Sequence, residues 1–484
     1  MSAANIPTTS ARQKNDRREI FGWVMYDWAN SAFSTTVVAA LLGPYLTALA
    51  QSAVGENGVA LDLGIFGAVT AKSLFPYATS LSVFLQVFLL PILGAIADYS
   101  HLKKRLMAVF CYIGAATTCL FFFISGNLYL LGALLFVIAN LSFGASIVLY
   151  NAFLPDICTE DQSDRVSSRG FAWGYFGGGL LLALNLALVI TSRRPEWLRR
   201  ASPALDAWVA AYLPTDLAVR VSLLSAGLWW GGFALLTFTR LKTRAAARSL
   251  PPGKTYLTIG FTELGATFRD LLRLPHTLRY LIGYLFYNDG IQTVLGLASV
   301  FLAQELFVAK GLSNDEAQPF LLGIVLMVQF VAFAGALVFA RIAASIGTKN
   351  AILISLVLWS GVVIYAYGFL ATTTQAWVMS AVIAVVLGGS QALSRSLFAR
   401  MIPAGREASF FGIYEISERG TSWIGPLIFG AVVGATGSYR QAILSLIVLF
   451  IVGTAILALT DTDRAIHDAG NMTPDELAGD VVPA

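Results

Sequence analysis

The chain has 484 residues, 57% of them in the hydrophobic set and only 12% charged, with a mean hydropathy of +0.71. A soluble domain keeps about a quarter of its residues charged to cover its surface, so this composition excludes a water-solvated globule and places the chain in a bilayer. The formal net charge of +4 is no argument for nucleic acid, and Cys111, Cys119 and Cys158 offer neither a paired disulfide framework nor metal-ligand spacing.

Residues 1–19 form a polar, basic start with Arg12, Lys14, Arg17 and Arg18. The apolar stretch that follows, 20–49, runs too long for a signal-peptide core and has no small-residue cleavage pattern behind it, so it reads as a first membrane helix. A spanning helix needs ~20 mostly apolar residues. Further stretches at 75–98, 105–124, 128–154, 169–191, 220–240, 280–306, 319–345, 350–371, 375–402, 408–434 and 439–460 bring the count to twelve transmembrane helices. The expected fold class is an all-α polytopic membrane protein.

Twelve spans leave both ends on one side. That side holds 22 of the 32 lysines and arginines, the other holds 8, and Arg395 and Arg419 fall within spans. The excess assigns both termini to the cytoplasm. One outer loop opposes the trend, with Arg193, Arg194, Arg199 and Arg200 between the fifth and sixth spans.

The longest inner connection, 241–279, separates a half at 20–240 from a half at 280–461. Within it Leu257, Phe261, Leu264, Phe268 and Leu271 recur at helical spacing, which predicts an amphipathic helix on the membrane surface. The polar tail, 462–484, reads as loose.

The halves repeat each other. Gly22, Tyr26 and Asp27 return as Gly283, Tyr287 and Asn288; Tyr150 and Pro155 match Phe398 and Pro403; Gly170 and Gly178 match Gly412 and Gly420. Gly94, Asp98 and Lys103 match Ala340, Ala344 and Lys349, so the second copy keeps the basic residue and loses the acid. Parallel six-helix repeats are the build of the major facilitator fold, six plus six, with substrate held between the halves.

The stretch GAIADYSHLKK, residues 94–104, resembles the major facilitator signature between the second and third spans, whose glycine, carboxylate and basic pair lock the inner gate. The resemblance implies gating roles for Gly94, Asp98, Lys103 and Lys104. Two positions depart from it: Tyr99 stands where arginine is usual and His101 where glycine closes the turn. YDWANSAF (26–33), YNAFLPDI (150–157), YNDGIQT (287–293) and the run at 390–426 resemble the vacuolar-effluxer-like branch, whose yeast member is an autophagy-related amino-acid exporter.

Six ionisable residues, Asp27, Asp289, Arg395, Glu415, Glu418 and Arg419, fall within spans at nearly one depth, ~10 Å from the cytoplasmic surface at 1.5 Å per residue. An ionised side chain near the bilayer centre costs ~2.5–3.5 kcal/mol, so these groups must face protein or a watery cavity. Two readings follow. In the first, Glu415 and Arg419 pair at i and i+4 while Asp98 docks on the start of the eleventh span, where helix N-termini favour carboxylates, and together they close the gate. In the second, Asp27, Asp289, Glu415 and Glu418 take up protons, because burial favours the neutral acid.

Polar stripes mark the cavity wall: Asp27, Asn30, Ser31 and Ser34 on the first span, Asp289, Gln292 and Thr293 on the seventh, and Gln391, Ser394 and Arg395 on the tenth. In the resembled superfamily these spans line the substrate cavity. The expected substrate contacts are therefore Asp27, Asn30, Ser34, Tyr287, Asn288, Asp289, Gln292, Gln391 and Arg395, with Arg395 suited to a carboxylate and Asp27 or Asp289 to an ammonium. Small residues have a structural reading: Gly170, Gly174 and Gly178 allow close helix packing, and Gly43-Pro44 and Gly425-Pro426 mark bends.

Enzyme chemistry finds no footing. Gly253-Lys254-Thr255 fails as a phosphate loop because Arg248 occupies the leading glycine position, and His101, His276 and His467 lie scattered in loops and tail. The reading is a secondary transporter working by alternating access, proton-coupled, exporting or exchanging amino acids or similar small metabolites. It needs no cofactor or metal. Its partners are a small-molecule substrate, protons and the lipid bilayer, with no nucleic acid, and it is expected as a monomer in a bacterial plasma membrane. The alternative is a channel or lipid scramblase, which also requires polar stripes.

Overall fold

The computed structural model describes residues 14–55, 58–62, 68–243, 248, 250, 253, 255–311, 314–419, 424–473 and 476, without the side chains of 256, 257, 261, 264, 314–318, 416 and 419. Eleven helices among the described residues are long and apolar enough to cross a membrane. They are α1 (Arg17–Val54), α2 (Leu74–Asp98), α3 (Lys103–Leu120), α4 (Tyr129–Asn151), α5 (Glu160–Ser192), α6 (Thr215–Arg240), α7 (Pro275–Leu306), α8 (Asn314–Ile346), α9 (Thr348–Gly368), α10 (Thr373–Arg400) and, following α11, α12 (Tyr439–Ala458). The remaining span, α11, is described in two pieces, Glu407–Arg419 and Ile424–Thr436. The twelve spans form two six-helix halves that pack through α2 against α11 and α5 against α8.

Helix α1 begins at Asp16, whose side chain caps Arg18 N. Its middle, Phe33–Leu41, is a nine-residue π segment ending just before Pro44. Proline has no N–H to give the carbonyl one turn back, and its ring crowds that turn, so a widened register precedes it. Thr35 and Ser34 add hydroxyl bonds to Ser31 O at 2.7 and 3.1 Å. The bend expected at Gly43-Pro44 is thus a change of helical register on the cavity side of the proline.

Glycines bring the helices together. Along α5, Gly170, Gly174 and Gly178 face α1, where an added Cβ would stand within 2.5 Å of Asp27 Oδ2, 2.8 Å of Ser31 Oγ and 2.9 Å of Thr35 Cγ2. On α2, a Cβ at Gly94 would meet Ala408 O at 2.2 Å, and one at Gly412 would meet Pro91 Cα at 2.9 Å. Backbone atoms cannot step aside, so the α2–α11 crossing requires both glycines.

Helix α5 starts nine residues earlier than the hydropathy of 169–191 suggests, because its polar first turns project past the apolar stretch. The opposing arginines of the outer loop also find a place. Two short helices, Glu196–Ala201 and Pro203–Tyr212, let Arg194 clasp Asp206 with both nitrogens at 2.9 and 2.6 Å, while Arg200 pairs with Glu196 at 3.0 Å. A hairpin of Val59–Asp62 and Ala68–Thr70 covers the same side.

The tail is not loose in its first part. Thr462–Asp468 is a helix capped by Asp461, with Ala465 and Ile466 buried, and Asn471 Nδ2 reaches Arg400 O at 2.8 Å and Ile402 O at 2.9 Å. Orphan carbonyls at the end of α10 need donors, and the tail provides one. The linker forms the helix Tyr256–Arg273, opened by a Thr255–Thr258 capping box. Leu257, Phe261 and Leu264, part of its expected apolar face, have side chains outside the described ones. Of the rest, Leu271 is buried and Phe268 exposed, so the helix buries Ile259, Glu263, Thr267 and Leu271 against protein and leaves Phe268 and Leu272 outward.

Candidate functional site

A cavity of about 530 Å³ lies between the halves, its wall carrying both polar and apolar side chains. Of the residues expected to line it, Asp27, Asn30, Ser34, Gln292, Gln391 and Arg395 do, joined by Glu415 and Glu418.

Arg395 of α10 is the hub, 3% exposed. Its Nη1 stands 3.4 Å from Asp27 Oδ2 on α1 and 3.3 Å from Asn151 Oδ1. Its Nε and Nη2 donate to Ser167 Oγ and Ser167 O on α5, each at 2.9 Å. The guanidinium carbon also lies 4.2 Å from the Phe171 ring centroid and 4.9 Å from that of Trp23. Asp27 Oδ2 accepts a further bond from Tyr150 Oη at 2.7 Å, and Tyr150 stacks on Trp23 at 4.3 Å. Both charges are therefore paired, hydrogen-bonded and walled by aromatics, which is what a buried ion pair requires to persist. Asn151 extends the chain of contacts by donating to Glu415 Oε1 at 2.8 Å.

Three expected residues do not reach the cavity. Tyr287 turns into its own half and shares a 2.7 Å bond with Ser394 Oγ. Asn288 Nδ2 donates to Glu418 O at 3.1 Å, at the end of the first piece of α11, and Asp289 Oδ2 accepts from Gly425 N at 2.8 Å, at the start of the second. Consecutive residues on α7 thus hold both described pieces of α11. Asp289 Oδ1 and Thr293 Oγ1 are buried and have no hydrogen-bond partner among the described residues. The expected pairing of Glu415 with Arg419 falls on a side chain outside the described ones.

On the side carrying the termini, Asp98 is 1% exposed and accepts three bonds from the first turn of α11: Ala408 N at 3.0 Å, Ser409 N at 2.9 Å and Ser409 Oγ at 2.6 Å. Helix N-termini offer such unpaired amides, so a carboxylate is well placed there. Lys103 pairs with Asp156 at 3.1 Å, and Lys104 caps Leu241 O at the end of α6. The departure at Tyr99 has a local reason. Its hydroxyl donates to Glu263 of the linker helix at 2.7 Å, and Glu263 also receives Arg248 and Arg406 at 3.1 and 3.2 Å. A linker carboxylate thereby binds both halves, and burial with that hydrogen bond pushes the Tyr99 phenol up to about 12.

The acid missing from the second copy enters from the opposite partner. Asp164 of α5 accepts from Thr348 Oγ1 and Ser396 Oγ, each at 2.5 Å, and from Arg400 Nη2 at 3.3 Å. Sequence reasoning missed Asp164, although it lies six residues before Gly170 just as Arg406 lies six before Gly412. It also passed over Asn151, Ser167, Tyr175, Tyr284 and Tyr414, whose types are too common in membrane helices to stand out singly.

Solved structures share this architecture. The fucose–proton symporter FucP, in its outward conformation, superposes with a TM-score of 0.65 at 13% identity, over 92% of this chain and all of that one. The human organic anion transporter MFSD10 does so at 0.63 and 14%, with the same coverage. The family model "Vacuole effluxer Atg22 like" matches residues 15–470. This chain belongs to that family. The uncharacterized MFS-type transporter YxiO of Bacillus subtilis is 30% identical over 446 residues, 92% of this chain and 95% of its own. Autophagy-related protein 22-1 of Penicillium rubens is 24% identical over 94% of this chain and 91% of its own. Membership of the Atg22-like effluxers makes the chain a multi-pass membrane transporter of the major facilitator fold.

Proposed function

We propose that the chain moves amino acids or similar zwitterionic metabolites out of a compartment by alternating access, with protons as the coupling ion. The observation that carries this reading is the Asp27–Arg395 pair, a buried ion pair that ties α1 to α10 across the cavity. A zwitterion can replace each partner in turn, its carboxylate taking Arg395 bidentately and its ammonium taking Asp27. Substrate entry then breaks a bond between the halves while leaving neither charge uncompensated, which couples occupancy to rocking. Asn30, Ser34, Gln292 and Gln391 supply neutral hydrogen bonds around it.

Protons act on the acids, Asp27, Asp289, Glu415 and Glu418. Neutralising Asp289 weakens its hold on Gly425 N, and neutralising Asp27 releases Arg395. Gly94, Asp98, Lys103 and Lys104, with Glu415 and Arg419 on α11, form the gate on the side of the termini, which the basic residues assign to the cytoplasm. Efflux follows from membership of a family of vacuole effluxers. A proton moving down 100 mV gains ~2.3 kcal/mol, roughly a fifty-fold concentration ratio, which suffices for export. The carrier is read as a monomer of the bacterial plasma membrane.

The test uses purified protein in sealed liposomes with a trapped pH dye, challenged with pooled amino acids, for wild type and for Asp289→Asn and Arg395→Gln. A saturable pH change in wild type that both variants lose supports coupled amino-acid transport. Absence of both pH change and substrate exchange discards amino acids as substrate. Flux that neither saturates nor responds to the proton gradient replaces the carrier with a channel or scramblase.

A further inference from the structure

A groove of about 770 Å³ lies where α1 and α5 meet on the side of the termini. Arg17, Arg165 and Arg169 line it, and among the described residues no carboxylate does. All three arginines are exposed, and among the described residues none of them forms an ion pair. Nearby basic groups behave differently: Lys242 is taken by Asp16 at 2.6 Å and Arg400 by Asp164 at 3.3 Å. Arg165 and Arg169 stand at i and i+4 on α5, where like charges repel and destabilise the helix unless something negative lies between them.

One turn further into the bilayer the lining changes. Phe21 lies four residues past Arg17, and Trp173 four past Arg169, about 6 Å deeper at 1.5 Å per residue. Both rings are exposed, 47% and 43%. The guanidinium of Arg240 adds positive charge at 4.5 Å from the Phe21 ring. On each of the two helices the groove therefore sets an aromatic ring one turn deeper than an arginine. A free anion would use the arginines and leave the rings wet; a molecule with a phosphate head and an apolar body satisfies both.

We infer that this groove binds an anionic phospholipid of the leaflet on the side of the termini, its phosphate between Arg17, Arg165 and Arg169 and its acyl chains along Phe21 and Trp173. Helix α5 also presents Ser167 to Arg395 and Asp164 to α10, so the bound lipid steadies the element on which both contacts depend.

The experiment compares retention of phosphatidylglycerol and phosphatidylcholine on the purified full chain by native mass spectrometry, with melting temperature measured in parallel. Wild type is expected to retain phosphatidylglycerol selectively and melt higher with it. Arg165→Gln with Arg169→Gln is expected to weaken that retention on the order of 30-fold, about fivefold per basic residue removed from an anionic surface. The phosphatidylcholine melting point stays unchanged, and Arg17→Gln alone gives the smaller loss should the double variant fail to fold. Removing Arg199 and Arg200 on the opposite face has no such effect. Equal retention of the two lipids, retention unaffected by these variants, or equal loss in the opposite-face variant overturns the assignment. So does displacement by soluble glycerol phosphate at matched concentration, which would mark a free-anion site.

Discussion

Gly170 on α5 lies so close to Asp27 on α1 that an added Cβ would stand 2.5 Å from Asp27 Oδ2 and 3.0 Å from Arg395 Nη2. The ion pair and the helix contact thus occupy one space. Gly170→Ala is expected to destabilise the fold by about 1–3 kcal/mol, the usual toll of overpacking, and to abolish uptake into liposomes. Gly174→Ala, which meets the movable Ser31 Oγ at 2.8 Å, should lose less of both. Equal activity in the two variants would separate the pair from transport.

Truncating one partner of a buried pair leaves the other uncompensated. Arg395→Gln should lower stability by about 3–5 kcal/mol, and combining it with Asp27→Asn should restore much of the melting temperature while transport stays absent. A double variant no more stable than Arg395→Gln alone would mean that Ser167 and Asn151, and not Asp27, are the partners that matter.

Asp98 holds three donors with two oxygens. Asp98→Asn turns one acceptor into a donor facing the first turn of α11, leaving a buried amide unsatisfied at a cost of about 1–3 kcal/mol. The carrier should then open more often toward its termini. A cysteine placed at the buried Ala399, in a background without native cysteines, should react with a membrane-impermeant maleimide faster in this variant than in wild type; an unchanged rate would contradict the gate.

The outer clasp of Arg194 on Asp206 predicts a pH response away from the transport path. The Arg194 guanidinium holds the Asp206 carboxyl below the usual carboxylate value. A lowered folded pKa gives stability that is complete above the unfolded value near 3.9 and is lost as pH falls through the lower folded one. Hydrogen-exchange protection of Pro203–Tyr212, each rate taken relative to its intrinsic value at that pH, should therefore be unchanged from pH 7 to pH 5, and Asp206→Asn should lower it at both. A wild-type loss of protection already at pH 5 would show that the clasp does not hold this helix.

Much of this fold is written in hydropathy, because a bilayer demands long apolar helices and little else at each crossing. Repeat landmarks such as Gly22 and Gly283 mark the two halves for the same reason, as sites of close packing. Side-chain phase is harder to read. Asn288 and Asp289 share α7 with Gln292, yet α11 covers them and Gln292 alone of the three reaches the cavity. Charge bookkeeping misleads for a similar reason: a count of acids against bases ignores tyrosines and backbone amides, and it is Tyr150 and Gly425 N that accompany Asp27 and Asp289. The tail illustrates the opposite error, since polar residues lie loose only when no orphaned carbonyl needs them.

The cap that Asn471 places on α10 spans 71 positions of sequence. A ribosome makes α10 well before Asn471, so through the synthesis of α11 and α12 the carbonyls of Arg400 and Ile402 must rely on water or on the insertion machinery. The last turn of helix α10 is consequently capped only after the chain beyond the final membrane span has folded back beneath it, although Asp27, Asn151 and Ser167, the partners of Arg395 on the same helix, are all made before it.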